Sequence, residues 1–68
     1  MDINIRGYIK ENFKQDSTEE LYNTIQEAIN SNDEVTLPGL GVLFETFWLN
    51  ITKEDQQNVV SIIKKNIN

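Results

Sequence analysis

Sixty-eight residues lie near the lower limit at which a chain hides enough surface to fold alone, and they are read as one domain spanning residues 1–68. Apolar residues make up 38% of the chain, charged residues 25%, and the net charge is -5; this mixture is too apolar for a disordered chain and opposes non-specific binding to DNA, which needs Lys and Arg against phosphate. With no Cys and no His, disulfides, thiol nucleophiles, the usual zinc and haem ligands and the commonest general base near neutral pH are all excluded.

The chain starts MDINIRGYIKENF, without the basic, apolar, small-residue order of a secretory signal, and no run approaches the roughly eighteen apolar residues of a membrane span. The expectation is a protein that stays inside its cell and has no membrane association. Ile5, Tyr8, Ile9 and Phe13 recur at helical spacing and predict a first helix over residues 3–13, with Gly7 weakening its regularity. Arg6, Lys10 and Lys14 line one edge of it at intervals of four. Three cations in an acidic chain make a poor footprint for nucleic acid, so the stripe is expected to be solvated or paired with an acidic neighbour such as Glu19 or Glu27.

Ser17-Thr18-Glu19-Glu20 reads as a capping box, in which Ser17 caps the third helical amide and Glu20 reaches back to the Ser17 amide. The helix it opens, residues 17–30, carries Leu21, Tyr22, Ile25, Ala28 and Ile29 on one face, and Ser31-Asn32-Asp33 ends it. Val35-Thr36-Leu37 is expected to enter the next element in an extended conformation, because Pro38 disfavours helical geometry at the residue before it. From Pro38 onward, Leu40, Leu43, Phe44, Phe47, Trp48 and Ile51 fit a helix over residues 38–51 without a gap. A strand fits only Leu40, Val42 and Phe44. Gly39 and Gly41 each cost this helix about 1 kcal/mol relative to Ala, and close approach of another backbone is the simplest compensation. Thr52 caps a fourth helix, residues 53–66, with Glu54 and Asp55 in its first turn, Val59, Val60, Ile63 and Ile67 along its apolar face, and Lys64 and Lys65 at its negative end.

Little in this chain carries chemistry. Gly39-x-Gly41 ahead of a helix is a fragment of a phosphate loop, lacking the third glycine, the Lys-Ser/Thr pair and a preceding strand. Two of the paired carboxylates, Glu19-Glu20 and Glu54-Asp55, start helices, and Asp33-Glu34 sits in a turn; none has the apolar pocket that would raise a pKa for acid catalysis. Ser17, Ser31 and Ser61 have no histidine to activate them. Asn50-Ile51-Thr52 matches a glycosylation sequon that has meaning only in an exported chain. No catalytic, cofactor-binding or metal-binding residue is therefore expected. Trp48, Phe44 and Phe47 are expected to form the main core. If the apolar surface of the third helix exceeds what one chain can cover, Leu40, Phe44, Phe47 and Trp48 become an interaction surface, for a homodimer or another protein.

The pair Arg6-Gly7, the segment TIQEAI (Thr24 to Ile29), the string LPGLGVLFE (Leu37 to Glu45) and Trp48 together resemble the small acid-soluble spore protein I family of spore-forming Firmicutes. The likeness runs from about Ile3 to the C-terminus and is most specific in LPGLGVLFE. It implies a minor protein made in the developing forespore and held in the spore core, with no assigned enzymatic activity and distinct from the abundant spore proteins that coat DNA. The segment NDEVTLPGLGVLFE is also similar to a stretch of the histone-like HU family, which implies a strand over Val42 to Phe47 and DNA binding. Against that second likeness stand the missing basic arm, the acidic balance and the helical period kept to Ile51. The expected fold is all-α, a small bundle of four short helices around Ile9, Phe13, Leu21, Ile25, Ile29, Leu40, Phe44, Trp48, Val60 and Ile63.

Overall fold

Three of the four helices in the computed structural model, which describes residues 4–67, begin where a polar side chain takes up a free backbone amide, and the exception is the third, which runs on from a preceding turn. Helix α1, Ile5–Phe13, is capped by Asn4, whose side-chain oxygen accepts the Gly7 amide at 2.8 Å. The expected start at Ile3 lies outside the described residues. Gly7 has a local reason: a Cβ there would come within 2.5 Å of the Asn4 side-chain nitrogen, so any other residue pushes the cap aside.

Helix α2, Thr18–Ser31, opens on the full capping box. Ser17 Oγ accepts the Glu20 amide at 3.1 Å and Glu20 Oε1 accepts the Ser17 amide at 3.2 Å. Its C-terminus closes on Asn32 in the left-handed region at φ 53°, a conformation that asparagine tolerates better than most residues.

The expected extended entry to the third helix is replaced by a 3-10 turn, Glu34–Thr36, running directly into helix α3, Leu37–Trp48. Asp33 nucleates the turn by accepting the Val35 amide at 3.0 Å, and the Thr36 hydroxyl ties it back to the Asp33 carbonyl at 2.7 Å. Leu37 is thereby held at φ -61°, ψ -41°, helical in spite of the proline that follows it. The far end also differs from expectation, stopping at Trp48 rather than at residue 51. Two side chains take its last carbonyls: Asn50 Nδ2 donates to the Thr46 oxygen at 2.6 Å and Gln56 Nε2 to the Trp48 oxygen at 2.9 Å. Thr52 then needs an extended backbone to cap helix α4, Lys53–Asn66, and its Oγ1 accepts the Asp55 amide at 3.1 Å.

The architecture is an all-α bundle of four helices, and no strand forms among the described residues. Among the described residues, helices α1 and α3 share the most extensive helix-to-helix contact. Val42, 7% exposed, is the one buried residue among those described, and it is not among the expected core. Of the expected core, Ile9, Phe13, Leu21, Ile25, Leu40 and Trp48 are half-buried, while Ile29, Phe44, Val60 and Ile63 are exposed. The radius of gyration, 13.5 Å, exceeds the roughly 11 Å of a well-packed domain of this length.

Candidate interaction surface

Helix α3 is apolar nearly all round, so its sequence leaves open which arc turns inward. The decision comes from an ion pair between residues 39 positions apart. Arg6 Nε donates to Glu45 Oε1 at 2.7 Å and Arg6 Nη2 to Oε2 at 3.0 Å, a bidentate clamp that fixes α1 on the Glu45 side of α3. Val42, one turn before Glu45, stands beside it on α3 and is buried. Arg6 pairs with Glu45, then, and not with Glu19 or Glu27. The Arg6 hydrogen bonds hold the Glu45 carboxyl below the ordinary glutamate range, with the charges of Arg6 and Lys10 adding to them. Glu20 is also held low, by the Ser17 amide first and the Ser17 hydroxyl second.

Part of the remaining arc of α3 faces outward. Phe44 and Phe47, at 44% and 48% exposure, lie on it, and Leu37 at its start is likewise uncovered. Phe44 packs on Phe47 edge to face with ring centres 6.2 Å apart, and on Trp48 at 5.8 Å with planes tilted 33°. Phe44, Phe47 and Trp48 are thus brought together as an exterior cluster. Leu40 stands one turn earlier, where it borders the cleft described below. Phe44 and Trp48 also form one wall of a shallow apolar groove whose other wall is Val60 and Ile63 of α4. Glu45 is the one charged residue lining that groove, and Arg6 already neutralises it.

Gly41 shares this arc, three residues before Phe44 and seven before Trp48. An added Cβ at Gly41, or at Gly39, meets no atom within 4 Å, so neither glycine is required by a backbone approaching from within this chain. The expected compensation is absent inside the chain.

A half-open cleft of about 320 Å³ lies between α1, α2 and α3, walled chiefly by Ile9, Phe13, Ile25, Leu40 and Leu43. Its polar lining is Asn12, Thr24 and Thr36, and no titratable side chain reaches it. Among the described residues no cluster of acidic side chains has metal-ligand geometry, and no helix is long and apolar enough to cross a membrane.

Fold and surface together define a small, acidic, all-α protein whose aromatic face is turned outward. Its sequence places it further: the chain belongs to the small, acid-soluble spore protein I family, whose model matches residues 3–67. It is similar to the small, acid-soluble spore protein I of Bacillus licheniformis, 40% identical over 67 residues that cover 98% of this chain and 96% of that protein. The proteins of the same description from Bacillus mycoides and Bacillus cytotoxicus are 36% and 34% identical over 67 residues, covering 98% of this chain and 97% and 96% of theirs. No solved structure matches this chain. Membership makes it a spore protein. Two of the family-like segments prove to be partners in space, since Arg6 of the Arg6-Gly7 pair clamps Glu45, the last residue of LPGLGVLFE. The strand implied by the histone-like likeness is not formed, because Leu37–Trp48 is one continuous helix.

Proposed function

We propose that this chain is a non-enzymatic protein of the spore core, made in the forespore during sporulation, that acts by contact with protein. The observation that carries the reading is the outward cluster of Phe44, Phe47 and Trp48 beside an almost uncharged groove. Aromatic side chains in such a setting supply contact energy. Acid-base chemistry has no support at the cleft, where no ionisable group could move a proton. The family likeness supports placement in the spore core.

Fractionation of dormant spores with an antibody against this chain tests the placement. Recovery in the core fraction, with none in the coat extract or in vegetative cells, is the expected outcome; recovery in the coat would overturn it. A filter-binding titration with duplex DNA at low salt separates the histone-like alternative. No retention is expected, whereas tight binding that weakens steeply with salt would favour that alternative.

A further inference from the structure

The accessible surface of the chain is 6116 Å², whereas a folded monomer of 7.9 kDa exposes about 4,400 Å² by the usual scaling with mass. About 1,700 Å² is therefore left uncovered beyond the norm. Much of what is uncovered is apolar and lies on two successive helices, since Leu37, Phe44 and Phe47 of α3, Val60 and Ile63 of α4, and Ile67 just past its end are all more than two-fifths exposed. On α4, Gln56, Val60 and Ile63, continued by the C-cap residue Ile67, follow one another at intervals of four, three and four, the spacing of a seam that packs against a facing helix.

We infer that the occupant of this surface is a second copy of the same chain, seated across the α3–α4 groove in a two-fold dimer. The inference rests on the reading that the chain works by protein contact, and it names the partner. The shortfall in cover belongs to the fold itself, so every molecule carries it and needs a partner present in equal number; another copy meets that condition. Hiding about 1,000–1,700 Å² on each chain buries at least roughly 2,000 Å² in total, within the range of permanent homodimers.

Gly41 fits this arrangement. It lies on the outward arc between Leu37 and Phe44 with open space where a side chain would be, which lets a second helix approach the α3 backbone. Two chains of net charge -5 repel each other, but the groove itself carries one carboxylate, already clamped by Arg6. A two-fold axis through the groove brings this same neutral patch together on both chains.

Sedimentation equilibrium of the full chain, at concentrations spanning the low to high micromolar range, tests the inference. The expected mass is that of two chains, twice 7.9 kDa, and the melting temperature should rise with concentration. A single-chain mass throughout would overturn it. Phe44→Glu and Ile63→Asp alter side chains that stand partly free in the single chain and are expected to weaken association at least a hundredfold. Where those variants also lose helicity, Gly41→Leu keeps the question open to refutation, because the Cβ it adds meets no atom within 4 Å in the single chain. It should weaken association at least tenfold while a control, Lys14→Glu, leaves it unchanged. Two-chain particles that survive all three substitutions would place the interface elsewhere and overturn the assignment of this face. The spore-fractionation result stands apart from all of these, so a core-located monomer refutes the dimer alone.

Discussion

Replacing Gly39 by alanine is expected to stabilise the protein. Gly39 sits in the first turn of α3 with an ordinary negative φ, and no atom lies within 4 Å of the position its Cβ would take. The substitution therefore adds no clash, removes backbone freedom from the unfolded chain and improves helix propensity, a gain of about 0.5–1 kcal/mol. For a domain of this size each kcal/mol moves the melting temperature by about 4–8 °C, so a rise of roughly 2–8 °C is expected. Gly7→Ala provides the contrast. A comparable gain in propensity is opposed by displacement of the Asn4 side chain, and losing an N-cap costs about 1 kcal/mol, so the net change should lie near zero. Thermal unfolding followed by far-UV circular dichroism, with all variants at one chain concentration, measures both. Gly39→Ala melting at or below the parent temperature, or Gly7→Ala gaining as much as Gly39→Ala, would refute the reasoning.

Val42→Ala removes two buried methyl groups and should cost about 1.5 kcal/mol, lowering the melting temperature by roughly 6–12 °C, whereas Val35→Ala, at a site 77% exposed, should change it little. The acid limb of stability follows from Glu45 and Glu20. Both carboxyls are held below their ordinary range in the folded chain, so their contribution is fully present above the unfolded-state value and is lost as pH falls through the folded-state one. Urea midpoints should accordingly fall between neutral pH and pH of about 3, and the Arg6→Ala variant should show a shallower fall because the largest cause of the lowered Glu45 value, its hydrogen bonds from Arg6, is then gone. An unchanged pH dependence in that variant would show that the clamp does not couple to folding.

Local signals in the sequence proved sufficient wherever the structure is local. Ser17 and Glu20 locate the capping box of α2, whose limits lie one residue later than the expected 17–30, Thr52 marks the start of α4, and the predicted limits of α4 coincide with those observed. The third helix was legible as a helix, but its orientation was not. Periodicity ranks an arc by its hydrophobicity, but α3 divides its apolar residues: Leu40 and Leu43 wall the cleft beside α1 and α2, Phe44 and Phe47 face outward, and a salt bridge to a residue 39 positions away, invisible to local spacing, ties Glu45 to α1. Arg6 was noticed as a member of a basic stripe, yet nothing in its spacing singles out Glu45 among eleven acidic residues. The 3-10 turn is not legible from the proline rule at Leu37, because Asp33, whose side chain takes the Val35 amide, overrides it. Of the candidate surface, Leu40, Phe44, Phe47 and Trp48 were identifiable from composition, while the opposing wall on α4 depended on the tight turn after Trp48.

That turn places the chain's single indole where two structural units meet. The ring of Trp48 lies beside Phe44, and its own carbonyl is gripped by Gln56 from the first turns of α4. The molecule thus carries a built-in optical gauge. Emission from this chromophore follows the seating of the C-terminal helix and the wetting of the groove, while fraying confined to the first two helices passes unseen, so a mismatch between fluorescence and ellipticity during unfolding locates the segment that lets go first.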